Sequence, residues 1–408
     1  MLSTDVTEAA RPTRMTIAAG ALLRGLPLAL LLVSGCAVFT PEQRAPDETV
    51  QEALPPQVVK PPVATQTFAF DPKHTAVVGE LQVTHASYED TLPDIARRFN
   101  LGFDEVSRAN PGVDPWLPGA GTRIVLPTQF VLPDAPTEGL VVNLAALRMF
   151  YFPKPEKHGQ RVVMTFPIGI GKVGWATPEG STKIVSKRKK PWWTPPESVR
   201  KEHAAAGDPL PARVPPGPDN PLGAYAMNLG WQSYLIHGTN KPAGVGLRAS
   251  HGCIRMYPED IGSVFDRIPV GTKVTVVNQP LLHRWQDGNL YVQSYPTHED
   301  SRGAGEAGAE IDEEEATESS VPWDDALANR LWQQAKPHGA SINLPLAQQT
   351  VTEARGVAVP VNRRGLTMER LYASSRLVEN ELPDGATWDG SDGEPTADTK
   401  ASGSGERR

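Results

Sequence analysis

Between residues 138 and 278 the chain alternates short β-forming runs with loops rich in glycine and proline, and this alternation constrains its fold more than any other feature. Leu140 to Leu144, Leu147 to Phe152, Val162 to Ile168, Tyr234 to His237 and Lys273 to Val277 read as strands. One clear helix begins at Pro258. Glu259 and Asp260 occupy its first turn, where the helix dipole favours acids, and Ile261, Val264, Phe265 and Ile268 make its apolar face. Parallel sheets need crossover helices, so this region is expected to be mainly β and mostly antiparallel.

The 408 residues allow two or three domains. Proline occurs 40 times, so long stretches should be linker or irregular structure. Two cysteines exclude a disulfide-stapled scaffold, and a net charge of −7 argues against a nucleic-acid binder. At the N-terminus Arg11, Arg14 and Arg24 precede an apolar run, Leu26 to Val33, and then Val33-Ser34-Gly35-Cys36. This is the pattern of a signal peptide over residues 1–35, too short for a transmembrane helix. A cysteine directly after Ser-Gly resembles a bacterial lipobox, which implies cleavage before Cys36, its lipidation, and, with Ala37 following, placement at the outer membrane. Met15 opens a plausible shorter signal. Residues 36–78, rich in Pro, Gln, Thr and Glu, read as a tether spanning roughly 35 Å as a flexible coil, or ~130 Å if extended.

Residues 79–128 read as a small unit of strand, helix, helix, strand. Leu92, Ile95, Ala96 and Phe99 form an apolar helical stripe behind Asp90 or Thr91 as N-cap, and a second short helix, Phe103 to Ala109, stops at Asn110-Pro111-Gly112. Asp90-Thr91-Leu92, Ile95-Ala96, Asn110-Pro111-Gly112 and Gly121-Thr122 followed by Ile124-Val125-Leu126-Pro127 resemble a LysM module, which implies binding of N-acetylglucosamine-containing glycan strands. Glu89 departs from the glycine common there. After residue 300 pattern is lost. Residues 301–408 are expected to be an acidic, largely disordered tail with one helix at 323–335, Leu327 and Leu331 facing a partner.

The chemistry concentrates in Ser250-His251-Gly252-Cys253-Ile254-Arg255-Met256, with Ile236-His237-Gly238-Thr239-Asn240 upstream. A lone thiol in an exported chain suggests reactivity, and a neighbouring imidazole is expected to lower its pKa toward the nucleophilic thiolate. Gly252 permits a tight turn, so that its amide and that of Cys253 can face a developing oxyanion. Arg255 offers a planar fork for a substrate carboxylate, or alternatively a salt bridge to Glu259 or Asp260. Ser250, Asn240, Tyr225 and Trp193 are further candidates to line the cleft, with a core role the equal alternative for the last three.

His237-Gly238 followed by this heptapeptide resembles the signature of the YkuD-type L,D-transpeptidases, with Gly169-Ile170-Gly171, Trp175-Ala176-Thr177-Pro178, Trp193-Thr194-Pro195-Pro196 and Pro215 to Leu222 in support. The resemblance implies an antiparallel β-sandwich-like catalytic domain at 138–280, extended over 281–300. It also implies Cys253 as nucleophile, His237 as general base, the Gly238 carbonyl as orienter of the imidazole, and His251 shaping the site or touching substrate. No cofactor and no metal are implied. The donor is then a peptidoglycan tetrapeptide stem that loses D-Ala to form a Cys253 thioester. The acceptor is an amine, either the C-terminal Lys of a Braun-type lipoprotein or a diaminopimelate side chain. The expected setting is the periplasm, with a lipid anchor as the only membrane contact.

Three rivals stand beside this. His237, His251 and Cys253 can be read as zinc ligands. Water in place of the amine makes the chain a hydrolase of the same bond. A wall-binding lipoprotein would need only the LysM-like unit. Gly169 to Gly174 and Gly303 to Gly308 each fit G-x-G-x-x-G, but neither sits in a βαβ unit. Lys187-Arg188-Lys189-Lys190 reads as a solvated basic run.

Overall fold

A strand of 10 residues, Gly180–Lys189, joins the two halves of the main sheet. Its first part pairs with Lys273–Val277 and its second with Tyr225–Leu229, and the register shifts between Ile184 and Ser186. A bulge bends a strand and increases its twist. In spatial order the nine strands are Thr67–Ala69, Val162–Pro167, Arg148–Phe152, Gly139–Asn143, Lys273–Val277, Gly180–Lys189, Tyr225–Leu229, Leu235–His237 and Ile254–Arg255. Every join between neighbours is antiparallel except two, Gly139–Asn143 with Lys273–Val277 and Leu235–His237 with Ile254–Arg255. The sheet curls, so that Leu140, Val142 and Met164 share one core with Ile184, Met227, Ile236 and Ile254. The domain is mainly β, as expected.

The computed structural model describes residues 58–63, 65–155, 159–172, 174–298 and 318–382, all within one unit, Leu54–Arg408. Among them are seven α-helices: α1 (Leu92–Arg98), α2 (Phe103–Ala109), α3 (Glu197–Ala205), α4 (Pro258–Val264), α5 (Asp325–Ala335), α6 (Leu344–Glu353) and α7 (Met368–Ser374). None is long and apolar enough to cross a membrane. Every residue of Arg148–Phe152 is buried. Met149 and Tyr151 face the core that holds Ile261, Val264 and Phe265, while Phe150 and Phe152 face Leu92, Ile95 and Phe99. Burial on both faces explains why this strand is a continuous apolar run rather than an alternating one.

Gln82–His85, α1, α2 and Arg123–Leu126 follow one another, and the two strands pair antiparallel. Thr91 caps α1 in a reciprocal box with Asp94. The Asn110 side chain ends α2 by donating to the Val106 and Val125 carbonyls and accepting from the Val125 amide. This unit is docked on the main sheet. Arg97 pairs with Glu259 at 2.8 Å, and the Tyr257 hydroxyl donates to the Leu101 carbonyl at 3.0 Å. Asp260 accepts from the side-chain amides of Asn100 and Gln66. Gly246 has φ +83°, and a Cβ there would lie 2.4 Å from Gly102 Cα, so the loop between His237 and Cys253 rests against the start of α2.

Two expectations are corrected. The tether expected over 36–78 is ordered within its described part: Thr67–Ala69 extends the main sheet, Val77–Gly79 pairs with Gln129–Val131, and Phe70 packs on Phe152 with ring centroids 5.1 Å apart. Its proline- and glutamine-rich composition masked Phe68 and Phe70, the side chains that bury it. The tail expected to be largely disordered folds over 318–382. Leu327, Leu331, Ala335, Leu346 and Val351 pack with Leu81, Val83, Val125, Leu290 and Val292. Arg376–Leu377 adds to Gln82–His85 in parallel, and Val359–Pro360 pairs with Tyr291–Val292. The signal peptide, Cys36, the acidic run before 318 and residues 383–408 lie outside the described residues.

Candidate active site

Strand alternation sorts the motif into a core face and a reactive face. Ile236 pairs with Ile254 and His237 with Arg255 in the parallel join. Ile236, Ile254 and Met256 are fully buried in the core, so His237, Arg255 and, two residues before it, Cys253 share the other face. The Met256 amide closes the join on the His237 carbonyl at 2.9 Å.

His237 is 4% exposed, and its Nδ1 lies 2.6 Å from the Gly238 carbonyl oxygen. A carbonyl only accepts, so Nδ1 carries the proton and Nε2 keeps its lone pair for a substrate or a thiol. Burial, then the Arg255 charge, push the imidazole down to about 4 against the pull of the Gly238 carbonyl. It is therefore a neutral base at neutral pH.

Cys253 is half-buried and free. Burial pushes its thiol up, opposed by the Leu235 amide and the Arg255 charge, and Sγ donates to the Ser233 carbonyl at 3.6 Å. The expected lowering of the thiol pKa is therefore corrected: burial outweighs the groups that favour the thiolate. At neutral pH the two groups rest neutral.

The turn before Cys253 is fixed from several sides. Gly252 has φ +93°, and a Cβ there would meet the Tyr234 ring at 2.8 Å. The Gly252 carbonyl accepts from the Thr177 hydroxyl at 2.9 Å, and Ser250, 2% exposed, donates its hydroxyl to the Cys253 carbonyl at 2.6 Å. Among the described residues neither the Gly252 nor the Cys253 amide donates to a backbone carbonyl.

The remaining candidates divide. No described carboxylate pairs with Arg255: Glu259 is taken by Arg97, and Asp260 by Asn100 and Gln66. Neither alternative salt bridge therefore forms, and the half-buried guanidinium stands beside Cys253 and His237. His251 Nε2 lies 2.7 Å from Glu202 of α3, with the Trp175 ring edge-on at 4.9 Å. Tyr225 packs on Phe265 at 4.8 Å, against α4, and Asn240 is exposed. Ser250 braces the turn through its buried hydroxyl. Trp193 pairs its backbone with Val214. Sequence reasoning missed Glu202, Thr177, Tyr234 and the Leu235 amide. Thr177 stood in the quoted Trp175 to Pro178 segment, whereas Glu202, 49 residues from His251, carried no spacing signal. No group of three or more His, Cys, Asp or Glu side chains among the described residues is arranged to hold a metal ion.

Residues 137–276 match the YkuD family model, described as the L,D-transpeptidase catalytic domain. The chain is similar to three Escherichia coli (strain K12) proteins. It is 42% identical over 231 residues to the probable L,D-transpeptidase YbiS, covering 56% of this chain and 74% of the relative. To the probable L,D-transpeptidase YcfS it is 42% identical over 226 residues, 54% of this chain and 69% of the relative. To the probable L,D-transpeptidase ErfK/SrfK it is 40% identical over 237 residues, 56% and 73%.

Proposed function

Because the chain belongs to the YkuD family of L,D-transpeptidases, a cysteine-dependent family of the cell envelope that acts on peptidoglycan, we propose that Cys253 attacks the tetrapeptide stem, releases D-Ala and passes the acyl group to an amine. The observation that carries this is the buried His237, its Nδ1 held by the Gly238 carbonyl, on the strand paired with the one that follows Cys253. Nε2 takes the thiol proton as sulfur attacks the carbonyl on the L-centre of the third stem residue. The Gly252 and Cys253 amides receive the oxyanion. D-Ala then leaves with the proton from His237, and a thioester remains. Arg255 receives a stem carboxylate. The acceptor is the C-terminal Lys of a Braun-type lipoprotein or a diaminopimelate side chain.

The LysM-like unit binds the glycan of the same wall. Tyr88 and Trp116, 87% and 61% exposed on the loops flanking its helices, supply the aromatic surface on which sugars stack. Lipidation at Cys36 holds the protein at the outer membrane, on the strength of the Val33-Ser34-Gly35-Cys36 sequence.

The test uses protein carrying Cys36→Ser, incubated with disaccharide tetrapeptide alone and with a peptide ending in Lys, and read by intact-protein and product mass. An acyl adduct absent from Cys253→Ala and transferred to the Lys peptide supports lipoprotein attachment. Transfer only to a second stem makes the chain a wall crosslinker, and tripeptide alone makes it a hydrolase. No adduct on folded protein would remove the transpeptidase mechanism.

A further inference from the structure

Three polar side chains around the turn that carries Cys253, those of Glu202, Lys172 and His251, have no part in the steps above. The segment from Pro191 to Leu222 leaves the sheet and returns. Its neck is closed by the Trp193 and Val214 backbones, at 3.0 and 2.8 Å, and by the Asn220 amide on the Pro191 and Pro215 carbonyls. Within it α3 buries only Val199. The same helix sends Glu202 to two partners, Oε1 to Lys172 Nζ at 2.7 Å and Oε2 to His251 Nε2 at 2.7 Å. Both partners sit on the walls of the nucleophile turn. His251 precedes Cys253 by two residues. The Lys172 amide donates to the Ser250 carbonyl at 2.8 Å, and the neighbouring Gly171 is packed so closely that an added Cβ would lie 3.0 Å from Gly252 Cα.

We propose that Glu202 recognises the ammonium group of the amine acceptor, and that Lys172 occupies that place in the free protein. The assignment rests on the acyl transfer to an amine proposed above and names the residue that selects the acceptor. A primary alkylamine arrives as a cation at neutral pH. Arg255 would repel it, whereas Glu202 offers a carboxylate on the wall of the turn that carries Cys253. The Lys172–Glu202 pair is part-exposed, 27% and 43%, so its net worth is small and it exchanges readily. The Lys172 ammonium has the same chemistry as the group that would displace it. Once bound, the acceptor ammonium sheds one proton to water and its nitrogen attacks the thioester carbonyl. The C–N bond forms, the C–S bond breaks, and the second proton passes through His237 to Cys253 Sγ, restoring the thiol.

The test isolates the second half-reaction. Acyl-enzyme is prepared from disaccharide tetrapeptide with the full chain carrying Cys36→Ser, alone or with Glu202→Gln or Lys172→Met. Each adduct is offered a peptide ending in Lys or hydroxylamine, an amine uncharged at pH 7, and the ratio of aminolysis to hydrolysis is read by product mass. Glu202→Gln is expected to lower the ratio for the Lys peptide at least tenfold and to change the hydroxylamine ratio less than twofold. Lys172→Met, which removes the internal competitor, is expected to raise the Lys-peptide ratio about threefold. Equal falls with both nucleophiles, unchanged ratios, or a fall in Lys172→Met matching that of Glu202→Gln would reduce Glu202 to a brace for His251 and overturn the assignment. The adduct mass itself reports a folded site in each variant. Absence of any adduct in the otherwise unaltered chain would instead overturn the transpeptidase mechanism and, with it, this assignment.

Discussion

Arg148 and Glu105 meet inside the protein, Nε to Oε1 at 2.7 Å, joining a strand of the catalytic sheet to α2. The guanidinium is fully enclosed. It also reaches the Asn100 carbonyl at 2.9 Å and lies 4.1 Å over the Phe130 ring. Removing one partner leaves a buried charge uncompensated, which costs about 3–5 kcal/mol. Arg148→Ala should therefore lower the unfolding free energy by that amount in urea melts. Arg148→Met with Glu105→Leu should recover most of it, since an apolar pair of similar volume needs no desolvated charge. If Arg148→Ala lost less than about 1 kcal/mol, the two units would not depend on this contact.

If His237 is the base proposed above, its neutral imidazole should set the acid limb of activity. With its pKa pushed down to about 4, the base stays unprotonated through pH 5, so kcat/KM for D-Ala release should be flat from pH 7 to 5 and fall only toward about 4. A limb near 6.5 would contradict the buried geometry. Stability follows the same proton. The unfolded chain binds it below about 6.5 while the folded chain resists it until about 4. This group's contribution is thus fully present above the unfolded value and is lost as the pH falls from 6.5 to 4, about 3 kcal/mol in all. His237→Gln should flatten that portion of the stability–pH curve.

Arg255 influences both reacting groups and has no described carboxylate partner, so Arg255→Met should act in two ways. Losing a charge-assisted hydrogen bond to the stem should lower kcat/KM about tenfold to a hundredfold. Losing the positive charge that lowers the imidazole's proton affinity should move the acid limb of the same profile upward. A drop in rate with an unmoved limb would place Arg255 away from His237. Arg255→Lys keeps the charge but not the fork, so it should restore the limb while leaving much of the rate loss.

Gly252 carries the backbone that aims the nucleophile. Gly252→Ala places a Cβ 2.8 Å from the Tyr234 ring at a left-handed φ, which costs about 1–2 kcal/mol of strain. The more sensitive quantity is the position of Cys253, where a shift of ~1 Å is worth about a hundredfold in rate. Acyl-adduct formation should fall by about that factor in protein that still unfolds cooperatively. An unchanged adduct rate would show that the turn tolerates the side chain.

What could be read from the chain beforehand divides by sequence distance. The motif around Cys253, the Pro258 helix and the alternating strands are local patterns, and the structure has α4 at Pro258–Val264 and strands within each apolar run. The Arg148–Glu105 contact spans 43 positions and the His251–Glu202 contact 49, and no periodicity reports either. Local reasoning also misjudged the thiol, because proximity of an imidazole in sequence says nothing of how deeply both groups are buried. The two helices after α5 escaped notice because their buried faces are small: Leu346, Ala347, Thr350 and Val351 on α6, and Met368 alone on α7.

Those small faces add up to a structural dependence. The folded segment from residue 318 covers Leu81, Val83, Val125, Leu290 and Val292, which belong to earlier parts of the chain. Re-exposing five such side chains costs on the order of 5–10 kcal/mol, comparable with the whole stability of an ordinary domain. A chain ending at residue 317 should therefore fail to give a cooperative melt. Leu331→Ala, a milder change at a fully buried position on α5, should cost about 2–5 kcal/mol. If that variant melted with the parent protein, the C-terminal segment would be a passenger. If it melted as forecast while the isolated acyl-enzyme kept its reactivity, the segment would support the fold without touching the chemistry.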